Sequence, residues 1–158
     1  MKLILLFGRI CSGKSSYRQD AARIVVSDIV RSIVGSQQRS DLQTTMDLDG
    51  QIAERIVKAV TAFEKYKHSH RGVDMHISDE VVVDGIRQAT IVERILKLYP
   101  EAELVWLEVP VEERKRRYES RKAEKDTEPF EVADNKPIEL ECQKIYSIFE
   151  KQLKVINN

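Results

Sequence analysis

The chain is short of the residues that staple, span or charge a protein. It has two cysteines, Cys11 and Cys142, in 158 residues. That is too few for a disulfide scaffold and fits a reducing compartment. Lys plus Arg and Asp plus Glu come to 26 each. No global field therefore draws the chain to nucleic acid or an anionic membrane, and binding to either needs a local patch. The first apolar run is too short to cross a bilayer and lacks a signal-peptide cleavage pattern, so the expected location is cytoplasmic. With four prolines and six glycines there is no low-complexity tract, and no internal repeat is visible. The length suits one domain with a real core.

What is present is concentrated at the start. Leu3, Ile4, Leu5, Leu6 and Phe7 form an unbroken apolar run that reads as a strand buried on both faces. Gly8, Arg9, Ile10, Cys11, Ser12, Gly13, Lys14 and Ser15 follow, filling every position of G-x-x-x-x-G-K-[ST]. The glycines let the backbone turn. Successive N–H groups then cradle phosphate oxygens, aided by the positive end of a helix expected over residues 14 to about 22. Lys14 reaches the β- and γ-phosphates, and the Ser15 hydroxyl is placed for Mg²⁺. Arg9 and Cys11 occupy the loop's free positions and carry no charge or redox signal there.

Further along, Ile24, Val25 and Val26 predict a second strand ending at Ser27-Asp28. Ligands of open α/β sheets bind beyond the carboxyl ends of strands, so Asp28 either orients an attacking hydroxyl or caps the next helix. Residues 29–48 read as short helical pieces broken at Gly35, with Arg31, Arg39 and Gln43 among them, and Ser40 or Asp41 as a cap. Asp47 or Asp49 begins a long helix to about Tyr66 whose stripe is Ile52, Ile56, Ala59, Val60 and Phe63. The polar segment after it holds Lys65, Lys67, His68, His70 and Arg71. Val81, Val82 and Val83 form a buried strand ending in Asp84, where a carboxylate serves Mg²⁺ or caps a helix; Arg87 points into the same crevice or lies on the surface. A helix with Ile91, Val92, Ile95 and Leu98 stops near Pro100. Glu103–Val109 is a strand with Trp106 in the core. Arg114, Arg116, Arg117 and Arg121 follow on a helix, either closing over a phosphoryl group or ion-paired with interleaved glutamates. Residues 126–137 read as a loop. A helix from 138 to about 152 turns Ile138, Cys142, Ile145, Ile148, Phe149 and Leu153 inward, and Lys154 to Asn157 offers a fifth strand.

With these parts placed, the chain resembles a small P-loop nucleotide kinase. The order of parts is similar to that of nucleoside monophosphate kinases and dephospho-coenzyme A kinases, over nearly the whole length. The likeness extends to phage-encoded deoxynucleoside monophosphate kinase. It extends also to the phage kinase that phosphorylates the hydroxymethyl group of 5-hydroxymethyl-deoxyuridine within DNA. SDIVR (27–31), RSDLQ (39–43), DLD (47–49) and VVVDGIRQ (81–88) carry this last resemblance.

The resemblance implies a three-layer α/β P-loop kinase fold, with a central parallel sheet of about five strands flanked by helices. Residues 1–158 would form a single domain, with an acceptor flap at about 29–48 and a short arginine-rich lid at about 111–137. Residues Gly8 to Ser16, Ser16 included, would bind ATP, with Mg²⁺ at Ser15 and Asp84. Lys14, Asp28, Arg117 and Arg121 would be catalytic. Asp28, Arg31, Arg39, Gln43, Asp84 and Arg87 would hold the acceptor. The implied activity is γ-phosphate transfer to a nucleotide-type acceptor, foremost the hydroxymethyl group of modified phage DNA in a host cytoplasm. A free deoxynucleoside monophosphate is the alternative, followed by acceptor-free NTP hydrolysis. The chain is short for a monophosphate kinase, which leaves little room for a full lid and suits a bulky acceptor. The basic clusters at 65–71 and 114–125 would form a DNA track if they share a face. There is no N-K-x-D run to read guanine.

Overall fold

A continuous apolar run can be buried on both faces only at the middle of a sheet, and β1 (Lys2–Phe7) sits there. The computed structural model describes residues 1–35, 48–69, 78–121 and 127–158. Arg39, Gln43, Ser40, Asp41, Asp47, His70, Arg71 and the 122–125 end of the basic cluster lie outside the described residues. Within them five parallel strands form one sheet in the order β2-β3-β1-β4-β5. The others are β2 (Ala22–Val25), β3 (Glu80–Asp84), β4 (Glu103–Glu108) and β5 (Leu153–Asn157). The helices are α1 (Val26–Val34), α2 (Asp49–Ser69), α3 (Ala89–Leu98), α4 (Val111–Arg121), α5 (Phe130–Asp134) and α6 (Pro137–Phe149).

The chain builds β2 and β3 to one side of β1, then crosses to β4 on the other. That reversal puts the topological switch at the carboxyl end of β1, where open α/β sheets bind ligands. Leu6 is level with Asp84, and Val25 with Asp84, so β1, β2 and β3 end together. Leu3, Leu5 and Phe7 pack into the larger core with α1, α2, α3 and α6. Ile4 and Leu6 face the other way, against Val82, Val105 and Leu107, with Tyr17 and Ala21 over them. Trp106 is buried, meets Tyr146 edge to face at 5.2 Å, and donates its indole N–H to Glu108 Oε2 at 2.7 Å.

Several elements depart from expectation. No α-helix follows the phosphate loop: Lys14–Ser16 is a single 3-10 turn, and Tyr17 is already extended. The segment from Ser15 to Ala22 offers only Tyr17 and Ala21 to the core, too little to reward the cost of nucleating a helix. β2 ends at Val25, not at Ser27-Asp28, because the apolar Val26 and Val30 serve better as the buried side of α1. Ser27 and Asp28 therefore lie inside a helix, whose N-cap is Val25 with no side-chain cap bond. α1 stops at Gly35, as expected of a residue able to take φ 73°. Residues 126–137 are not all loop, since Phe130 and Ala133 bury against Ile10 and Tyr118 and draw out α5. α6 ends at Phe149, leaving Leu153 to β5. Its inward face is also rotated from the one expected: Glu139, Cys142, Ile145 and Phe149 are buried while Ile148 is exposed. Leu98 is exposed too, with Tyr99 packing inward in its place.

Candidate active site

The phosphate loop leaves β1 through Gly8, at φ 148°, where a Cβ would collide with the Ser12 hydroxyl and lie 3.0 Å from the Leu107 carbonyl. It closes at Gly13, at φ 84°, where a Cβ would collide with the Asn158 side-chain amide. Both positions hold a positive φ that favours glycine, and at Gly8 the Leu107 carbonyl also leaves little space for a Cβ. Between them Ser12 N donates to Arg9 O at 3.2 Å, and Cys11 holds φ 59°. The Lys14 ammonium turns back over the loop, donating to Gly8 O at 2.6 Å, Arg9 O at 2.9 Å and Ser12 Oγ at 3.3 Å. These acceptors are all neutral. Burial, reinforced by repulsion from Arg87, pulls its pKa from 10.5 to about 8.

In place of a helix, one arginine fixes the turn after the loop. Arg23, on β2, donates from Nη1 to Lys14 O at 3.2 Å and from Nη2 to Tyr17 O. The same Nη1 meets Asp84 Oδ2 at 2.9 Å, so the carboxylate that ends β3 is tied to the turn through Arg23.

Two buried carboxylates brace the loop from the side of α5 and α6, and sequence reading singled out neither. Glu139 is 5% exposed. Its Oε2 accepts the Ile10 N–H at 3.0 Å and its Oε1 lies 2.9 Å from Arg87 Nη1. Arg87 is thus a half-buried partner of Glu139, and it stands close enough to Lys14 to repel it. Asp134 takes both Arg9 and Arg114: Arg9 Nη2 is 3.1 Å from Oδ1, and Arg114 forks onto both oxygens, with Nη2 3.1 Å from Oδ2. Arg9 accordingly has a charge role, in anchoring the loop. Arg114 also donates from Nε to Val109 O at 3.3 Å and lies over the Phe130 ring. It belongs to the core rather than to a lid. The one available signal for Glu139 was its phase, three residues before Cys142 on an apolar face; Asp134, in a polar stretch, gave none.

Arg117 reaches the loop. Its Nη1 lies 3.5 Å from Cys11 O, its Nη2 donates to Asn158 O at 3.0 Å, and its Nε to Glu113 Oε1 at 2.7 Å. Asn158 in turn donates from Nδ2 to Ser12 O at 2.9 Å, joining the end of β5 to the phosphate loop. Arg121 lies over the Tyr118 ring at 5.2 Å. Arg116 turns outward to Glu113, and Lys115 to Glu131. Hydrogen bonds from Arg116 and Arg117 hold the Glu113 carboxyl down at about 2. Asp28 is 67% exposed and pairs with Arg31 at 2.7 Å, one turn along α1. The structure therefore gathers Lys14, Asp84, Arg87 and Arg117 around the loop, while Asp28 and Arg31 form a pair on the surface of α1.

Among the described residues no group of three or more His, Cys, Asp or Glu side chains could hold a metal ion. The Ser15 hydroxyl and the Asp84 carboxylate, one of whose oxygens is paired with Arg23, are the oxygen donors that would hold a cation. That set fits Mg²⁺, which keeps several waters and takes one or two protein ligands besides substrate phosphates. Among the described residues no helix is long and apolar enough to cross a membrane.

A family model described as "AAA domain" matches residues 4–140. No curated protein matches the sequence significantly. Solved structures that share the fold include two kinases. One is an unliganded sugar kinase from Janibacter sp. HTCC2649, at TM-score 0.53 and 12% identity, covering 99% of this chain and 85% of that one. The other is shikimate kinase from Acinetobacter baumannii in complex with shikimate, at TM-score 0.52 and 13% identity, covering 100% and 84%. The five-stranded parallel sheet and its flanking helices are those of a P-loop kinase fold.

Proposed function

The chain belongs to the AAA domain family, and from that premise we propose that it is an ATP-dependent phosphotransferase acting on a nucleotide-type acceptor. The observation that carries this is the Lys14 ammonium. It is half-buried at the carboxyl end of the central strand, near the Arg87 guanidinium, with only neutral oxygens as hydrogen-bond partners. A partly desolvated cation so placed suits a phosphate, and the phosphate loop supplies the N–H groups that would share it.

In this reading the loop residues 8–16 hold the phosphates and Lys14 spans the β- and γ-groups. Transfer is mainly positioning and charge stabilisation, because the transition state is loose. Arg117 and Arg121 neutralise charge as it develops on the transferring group. Arg87 faces that group from behind the loop. Arg31, with Arg39 and Gln43 of the flap, anchors the acceptor, and Asp28 directs the attacking group where that group is a hydroxyl. Ser15 and Asp84 are the residues that would hold Mg²⁺, whose charge would screen the phosphate oxygens when bound.

The ion pairing of α4 bears on the acceptor. Arg114, Lys115, Arg116 and Arg117 each meet a carboxylate, and Lys67 on α2 pairs with Asp79. Among the described residues these five cations are already paired, which reduces what they could offer a duplex. This favours a free nucleotide as acceptor over 5-hydroxymethyl-deoxyuridine within DNA, the acceptor suggested by the sequence runs. The test is transfer from γ-labelled ATP with Mg²⁺, offered free deoxynucleoside monophosphates beside duplex DNA with and without 5-hydroxymethyluracil. Label on the monophosphates supports the preferred acceptor, and label only on the modified DNA reverses the preference. Hydrolysis that no acceptor stimulates leaves an NTPase and sinks the kinase reading.

A further inference from the structure

We propose that Glu139 is a positioning residue for nucleotide binding, presenting the Arg87 guanidinium to the terminal phosphate while bracing the phosphate loop through the Ile10 N–H. The inference rests on the kinase reading and extends it to a residue of α6 that the phosphate-loop motif does not contain.

The two carboxylate oxygens do separate jobs. Oε2 accepts the Ile10 N–H at 3.0 Å in a buried bond, and Oε1 sits 2.9 Å from Arg87 Nη1. A buried carboxylate is costly unless both oxygens are used, and here both are. The contact with Arg87 is an ion pair, and Cys142 on the same helix face also interacts with the guanidinium. Arg87 is thereby held in place. It also stands within repulsive reach of Lys14. Two cations crowded together at the carboxyl end of β1 and β3, one kept there by a carboxylate behind it, form a receptor for an anion in front. The phosphate that meets both is the one farthest along Lys14, the terminal one. Cys142, one turn further along α6, lies beneath Gly8 with Sγ 4.0 Å from its carbonyl, so the same helix face supports both ends of the arrangement.

Glu139→Gln separates the two jobs. It keeps the shape and an oxygen acceptor for Ile10 but removes the charge that fixes Arg87. Binding of ADP and of a non-hydrolysable ATP analogue is measured by calorimetry on the wild type, Glu139→Gln, Arg87→Met and the double variant. The expected result is analogue affinity lowered about tenfold in Glu139→Gln, with ADP affinity within about threefold of wild type. In the Arg87→Met background the added effect of Glu139→Gln on the analogue should vanish, because the two act as one unit. A purely structural Glu139 would instead weaken both nucleotides alike and lower the melting temperature, and that result overturns the inference. Additive losses in the double variant overturn it too. If Glu139→Gln does not fold, Arg87→Lys serves: it keeps a charge for Glu139 but lacks the planar fork, and should show the same selective loss. An unchanged ratio of the two affinities in Arg87→Lys counts against the proposal. A wild type that binds neither nucleotide removes the kinase reading and this inference together. A wild type that binds both, with variants that bind as it does, removes this inference alone.

Discussion

Arg23 Nη1 lies 2.9 Å from Asp84 Oδ2, and the same guanidinium donates to the carbonyls of Lys14 and Tyr17. One side chain on β2 thus ties the end of β3 to the turn that follows the phosphate loop. In the motif as read from sequence, a helix would hold that turn and aim its dipole at the phosphates. Here the turn is a three-residue 3-10 element, and a cross-strand ion pair takes over the holding. Asp84 is accordingly part of the scaffold as well as a candidate donor to a metal.

Arg23→Met should therefore destabilise the protein and also loosen nucleotide binding. The pair is only slightly exposed, so removing one partner should cost about 2–3 kcal/mol in urea denaturation. Asp84→Asn in that background should cost much less than it does alone, since its partner is already gone. Equal costs of Asp84→Asn in both backgrounds would show that the pair is energetically idle.

Lys14 makes nucleotide binding pH-dependent. Its pKa in the free protein is about 8 against an ordinary 10.5. Between those values the folded chain has released a proton that the unfolded chain retains, so this group makes the free protein more stable as pH rises through that window. Bound phosphates act in the opposite sense, because they favour the ammonium. Binding of ATP at pH 9 should take up close to one proton. Affinity should then fall as pH climbs from about 8, by up to about tenfold per unit. Calorimetry in buffers of differing ionisation heat reads the proton directly; no buffer dependence at pH 9 would place Lys14 away from the phosphates.

The frame of this fold was legible because its strands announce themselves. Leu3 to Phe7, Val81 to Val83 and the stretch around Trp106 are apolar runs that have no place except inside a parallel sheet. The phosphate loop was legible because Gly8, Gly13, Lys14 and Ser15 fill a motif in which each residue type has a physical job. What escaped was everything settled by long-range charge. Asp134 meets Arg114 across 20 residues, and Glu139 meets Ile10 across 129. A polar residue carries no periodic mark of its partner. Arg114 and Arg117 looked equivalent in sequence, and only the packing of α5 against α4 separates them.

That separation can be measured. Arg114→Ala should cost about 3 kcal/mol of stability, because it breaks a buried fork and leaves the Asp134 carboxylate with Arg9 alone. Arg117→Ala removes contacts to the Cys11 and Asn158 carbonyls at the rim of the loop. It should leave the melting temperature within a few degrees of wild type and lower phosphoryl transfer by about tenfold or more. Thermal melts and initial rates on the two variants give the comparison. A stable, inactive Arg114→Ala would return that arginine to the lid.

Asp28 poses the sharpest question about the acceptor. It lies in the first turn of α1, exposed, with Arg31 at 2.7 Å. A hydroxyl acceptor must lose a proton as it attacks, and a carboxylate in reach of it contributes typically about 10²–10⁴-fold. An acceptor phosphate at neutral pH is already an anionic nucleophile and needs no base. Asp28→Asn keeps the size and a carbonyl oxygen but cannot take the proton. It should therefore slow transfer to a hydroxyl by about a hundredfold while leaving transfer to a monophosphate within about threefold. Arg31→Met should do the reverse if Arg31 grips an acceptor phosphate, raising KM for the monophosphate more than it lowers kcat. Rates for both variants on a hydroxymethylated acceptor and on a monophosphate decide the matter. Equal losses of Asp28→Asn on the two acceptors would leave Asp28 as a partner of Arg31 on the helix surface and nothing more.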